Sequence, residues 1–158
     1  MSLGLFKSSS VNISLQVDRP ADSYYPGDVV HAGITLEVEK SMKVREVRAG
    51  LVFCERYQWA DSDAEEGTTY HWSTDEVWAS KEILVPEGTI PGNFRQTYSF
   101  DWTIPPDAPP PYDGKISQTR WLAKVTVDRK LKKDINEEVE LPVIVPPPGQ
   151  ATQPGEYG

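Results

Sequence analysis

Val11-Asn12-Ile13-Ser14-Leu15-Gln16-Val17 is the stretch that decides the fold. Apolar side chains at 11, 13, 15 and 17 alternate with polar ones at 12, 14 and 16. A side-chain period of two is that of a strand with one face buried and the other wet. Moving outward, Pro26-Gly27-Asp28 has the chemistry of a tight turn. Val30, Ala32, Ile34, Leu36 and Val38 then repeat the alternation, with Glu37 and Glu39 on the opposite face. Val47, Ala49, Leu51 and Phe53 form a third inward set. Val44 is out of phase with them, which predicts a bulge near Arg45-Glu46. A polar stretch from Ala60 to His71 reads as a loop, and the alternation returns at Val77, Ala79, Ile83 and Val85. Later faces are Phe94, Tyr98, Phe100, Trp102 and Ile104, then Trp121, Ala123, Val125 and Val127. The last is Ile135, Val139, Leu141, Val143 and Val145, with Pro142 marking an edge or a bulge. No apolar stripe of helical period runs for three turns. The pattern predicts an all-β fold of two antiparallel sheets packed face to face, with at most one or two short helical turns.

The 158 residues carry 16 Lys+Arg against 24 Asp+Glu, a net charge of −8. That balance argues against nucleic acid or an anionic membrane as partner, since both reward a basic surface. No apolar run approaches the roughly 18 residues of a membrane span, so no membrane insertion is expected. The N-terminus lacks the apolar run of a signal peptide, and a single Cys cannot form an internal disulfide. The expectation is a cytoplasmic protein. The patterning predicts an N-terminal extension over 1–10, a sandwich over 11–145 and a flexible proline-rich tail over 146–158.

Several segments, taken in order, carry a family resemblance. Phe6-Lys7-Ser8-Ser9 leads into the first alternating strand, and Tyr25-Pro26-Gly27-Asp28-Val29-Val30 leads into Gly33-Ile34-Thr35-Leu36. Pro91-Gly92-Asn93-Phe94 precedes Tyr98-Ser99-Phe100-Asp101-Trp102-Thr103-Ile104-Pro105. A proline-rich loop then runs from Pro109 to Gly114 and into Trp121-Leu122-Ala123-Lys124-Val125. This order resembles the N-terminal domain of the arrestin family, over about Phe6 to Val145. The resemblance implies an immunoglobulin-like sandwich that acts as a non-enzymatic scaffold or adaptor. The usual member has two such sandwiches, and this chain has room for one. Where arrestins proper have a phosphate-sensing lysine pair, this sequence reads Lys7-Ser8.

No nucleophile elbow, zinc-protease motif, phosphate loop or Cys-x-x-Cys occurs, so no catalytic residue, metal ligand or cofactor is assigned. His31 reads as a structural histidine. Cys54 alternates away from Phe53 with no activating neighbour. Asp61, Asp63, Glu65 and Glu66 have the spacing of a calcium loop, but Glu66 and Trp72 stand where the loop glycine and closing carboxylate belong. Pro109-Pro110-Pro111-Tyr112 matches a WW-domain ligand, at a place where the family pattern already has prolines.

Two binding readings remain. The first places a protein or extended peptide along the strand from Val11, with Lys7, Val11, Ile13, Ser14 and Leu15 forming a sheet edge. That edge would also permit self-association. The alternative is a carbohydrate or small ligand stacked on Trp59, Trp72 and Trp78.

Overall fold

The computed structural model describes residues 2–7, 10–19, 22–63, 65 and 67–147. Among them are eleven strands and no helix. Ser2–Lys7 (β1), Val11–Val17 (β2), Val29–Val38 (β3) and Phe94–Thr103 (β8) form one antiparallel sheet, in the order β1-β2-β3-β8. The second sheet is built on Met42–Asp63 (β4) and Ser117–Arg129 (β10). Ile135–Leu141 (β11) lies beyond β10 and Gly67–Trp78 (β5) beyond β4. Glu82–Val85 (β6) and Gly88–Ile90 (β7) pair with the first part of β4, and Tyr112–Asp113 (β9) pairs with β10.

Burial follows the alternation. Val11, Ile13, Leu15 and Val17 are buried, as are Val30 through Val38 at every second position. The facing sheet contributes Val47, Ala49, Leu51, Trp121, Ala123, Val125 and Val127 to the same core. The bulge falls where Val44's phase placed it. Asp128 pairs with Glu46 and Arg129 with Val44, so Arg45 is the extra residue, and Val44 and Val47 are both fully buried.

Three expectations are revised. Residues 2–7, read as an extension, form β1. Here the inward position opposite Leu15 is Gly4, which packs against Glu137 and Val139 of β11, while Leu5 is 61% exposed. A strand whose core position is glycine and whose leucine faces water shows no alternation. The polar stretch 60–71 is not a loop but the distal half of the β4–β5 hairpin, paired without a break from Val52–Trp78 to Asp63–Gly67. Val77 and Ile83, read as inward, are exposed. A break at Ala79–Lys81, where Ala79 N–H and Ser80 N–H both donate to Leu51 O, interrupts the alternation between them. On the outer face of β4, Val52, Cys54 and Leu122 form a small buried cluster with Trp78 packed on it. Pro146 and Pro147 follow Val143 without regular structure, and the rest of the proline-rich tail lies outside the described residues.

Candidate functional site

The strand from Val11 is not a free edge. β1 pairs with it on one side, from Ser2–Val17 to Lys7–Asn12, and β3 pairs with it on the other. Val11, Ile13 and Leu15 point into the core, and Ser14 lies between Leu5 and Thr35. The margin on this side of the sheet is therefore β1, and β8 forms the opposite one. The sequence missed it because backbone pairing of an exposed strand imposes no hydrophobic pattern.

The three candidate tryptophans do not converge. Opposite residues of an antiparallel pair share a face. Trp59 and His71 stand opposite one another on the face that continues from Phe53, with ring centroids 4.5 Å apart. The Trp59 indole N–H donates to Ser73 Oγ at 2.8 Å. Trp72 occupies the reverse face beneath the Arg56 guanidinium, 4.5 Å from its ring centroid. Trp78 shares that reverse face, but at the hairpin base against Val52, Cys54 and Leu122, with Arg48 5.8 Å from its ring. A single sugar cannot stack on rings that face opposite ways.

Asp61 and Asp63 lie on β4 rather than in a loop, and Asp63 Oδ1 accepts the Glu65 N–H at 2.9 Å, fixing the turn. Glu66 lies outside the described residues. The proline-rich loop is tied to the sheet, with Pro109 O accepting from Trp121 Nε1 at 3.1 Å and Pro110 O from Thr119 Oγ1 at 3.3 Å. Beside it, an open cleft of about 520 Å³ runs from Pro111 and Tyr112 to Pro142, with Arg120 bridged to Glu138 and Glu140. Burial pushes the Cys54 thiol up, away from the thiolate that reactivity needs.

One polar network closes an end of the first sheet. Tyr24, wholly buried, donates its O–H to Asp18 Oδ1 at 2.8 Å and accepts the Arg19 N–H at 3.0 Å. Burial, reinforced by the Asp18 hydrogen bond, pushes the Tyr24 phenol up to about 12. Its backbone also bridges to the last segment, donating to Pro142 O and accepting from Ile144. His31 Nδ1 lies 2.5 Å from Asp101 Oδ1, and that hydrogen bond holds the imidazole above its ordinary 6.5. A raised folded value means stabilisation that is complete below 6.5 and lost as pH climbs through the folded value. The melting midpoint of the native chain should therefore exceed that of Asp101→Asn by more at about pH 6 than at about pH 8. A gap that does not change across that window would show that the pair does not titrate.

Two comparisons with known proteins follow this geometry. The family model described as "Arrestin (or S-antigen), N-terminal domain" matches residues 13–147. The solved structure of Spo0M, a sporulation control protein from Bacillus subtilis, superposes with a TM-score of 0.54 at 17% identity. The superposition covers 86% of this chain and 50% of that one, so the chain spans about half the length of that structure. At this identity the likeness is one of fold. No curated protein sequence matches the chain.

Proposed function

Because the chain belongs to the arrestin N-terminal domain family, whose sandwich is generally a non-enzymatic scaffold, we propose that it is a protein-interaction domain that takes up an extended segment by strand addition. The observation that supports this most directly is the margin of the first sheet. β1 pairs with β2 and with no other strand among the described residues, which leaves every second N–H and C=O along Ser2–Lys7 without a partner strand. An added strand draws its affinity from those groups, and pockets for alternate side chains set its specificity. In this reading Lys7 lies on the docking edge itself, and Val11, Ile13, Ser14 and Leu15 support that edge through β1 rather than touch the partner. No helix among the described residues is long and apolar enough to cross a membrane, and the site of action proposed is the cytoplasm.

A random peptide library selected against the native chain tests the reading. Of two successive residues in an edge strand, one N–H points outward, so Leu5→Pro and Phe6→Pro form a matched pair. One of the two should leave the melting midpoint near that of the native chain and weaken selected peptides at least tenfold. If neither substitution weakens any selected peptide while the protein stays folded, the β1 margin is not the interface.

A further inference from the structure

The second sheet ends in an edge of a different kind. β5 pairs with β4 and with no other strand among the described residues, and its register runs unbroken over its 12 residues. Natural proteins guard edges of this length with lysine, proline or a bulge. Between Gly67 and Trp78 there is no lysine and no proline, and the charged residues are Asp75 and Glu76.

The charge of this hairpin is out of balance with the rest of the molecule. Positions 55–76 hold seven carboxylates against the single Arg56, a net −6 of the chain's −8. Elsewhere several carboxylates meet cations, Asp28 with Arg19, Glu37 with Arg95, Glu46 and Asp128 with Arg48, Glu87 with Lys130, while others such as Glu39, Glu82 and Asp107 have no ion pair among the described residues. On the hairpin, Glu76 reaches Lys124, but Glu55, Asp61, Asp63, Glu65 and Asp75 have no ion pair among the described residues. Glu55 and Asp75 even oppose each other directly across the strands, an arrangement that destabilises a pair. The neighbouring Tyr57 phenol is pushed up by the charge of Asp75, as a negative local field requires.

The two faces of the hairpin differ in chemistry. One carries the unpaired acids around the Trp59–His71 stack, and Trp59 is 44% exposed. The other presents Tyr70, 64% exposed, beside Trp72, whose ring Arg56 already covers.

We propose that β5 is a docking edge for a basic extended segment of a protein partner, added as a further strand. Lysine or arginine at its alternate positions faces the Trp59 side, and apolar residues face the Tyr70–Trp72 side. An added strand lies about 4.8 Å from β5, so its cations come within one strand spacing of Asp75, inside the roughly 8 Å screening length of physiological salt, and within two spacings of Glu55 and Asp61, just beyond it. A lysine stem lies along the His71 side of the Trp59–His71 stack while its ammonium reaches toward the acids. A second copy of this chain fits badly. Its own β5 would bring Thr69, His71, Ser73 and Asp75 to the face that lacks cations. This edge lies on a different sheet from β1, and the inference stands or falls apart from the proposed β1 margin.

The test uses the full chain and a fluorescently labelled eight-residue peptide alternating lysine and valine. Its controls replace lysine by glutamate, or carry N-methyl groups on alternate amides. Expected is saturable binding of the lysine peptide and at least a tenfold weaker association for either control. The triple variant Glu55→Gln, Asp61→Asn, Asp75→Asn should also bind at least tenfold more weakly, as should the native chain in about 0.5 M salt. Whichever of Leu5→Pro and Phe6→Pro stays folded should leave this binding unchanged. The proposal is overturned if the lysine peptide does not bind, or if the glutamate peptide binds equally well. It is equally overturned if the N-methylated peptide binds as tightly, or if the triple variant, folded by circular dichroism, binds unchanged. Sedimentation showing a native dimer that Thr69→Pro or Tyr70→Pro abolishes would assign the edge to a second copy instead.

Discussion

Trp102→Ala or Trp121→Ala should each cost about 3–5 kcal/mol in urea unfolding, the range for truncating a large buried aromatic side chain. Both rings are 2% exposed and belong to the core shared by the two sheets. Trp121 tilts against Phe53 with centroids 5.1 Å apart, and Trp102 stacks on Phe100 at 5.6 Å. The conservative replacements separate packing from polarity. The Trp121 N–H holds the proline-rich loop through Pro109 O, whereas the buried Trp102 N–H has no hydrogen-bond partner among the described residues. Trp102→Phe removes an unsatisfied donor, so it should cost less than Trp121→Phe, which releases the loop. A loss below about 1 kcal/mol for both alanine variants would mean that these strands face the wrong way.

Gly50→Ala should destabilise the chain by about 3 kcal/mol, the upper end for overpacking a fixed site. A β-carbon at Gly50 would lie 1.8 Å from the Ser80 carbonyl oxygen and 2.6 Å from its carbon. Both atoms are backbone, and Ser80 is held in place because it and Ala79 donate to Leu51 O. Relief requires the Ala79–Lys81 link between β5 and β6 to lift away from β4. Gly33→Ala is the control, since nothing lies within 4 Å of its would-be β-carbon and its backbone is that of an ordinary strand. It should be neutral or stabilising by about 0.5 kcal/mol. Equal midpoints for the two variants would show that the Ser80 carbonyl is free to retreat.

The division of labour between sequence and tertiary structure is plain in particular strands. The alternation of Val11–Val17, Val29–Val38 and the central part of β4 was enough to establish two packed sheets. Val44's phase located the bulge at Arg45. Burying one face of a strand imprints a period of two on the residue types, and an extra residue shifts that period by one, so both are readable without coordinates. The proline loop ahead of Trp121 was legible for a similar reason, because turn chemistry is local.

The edges were not legible. β1 has a glycine at its inward position and a leucine in water, and the distal β4–β5 hairpin buries neither face. Such strands are held by backbone pairing and by the favour that Trp, Tyr and Thr find on a pleated surface, and neither leaves an alternating pattern. Which side of a strand is paired, whether three tryptophans share a face, and which carboxylates lack a cation all depend on register and neighbours distant in the chain. Only the tertiary structure set those, because side-chain type records whether a face is buried but not what lies along its edge.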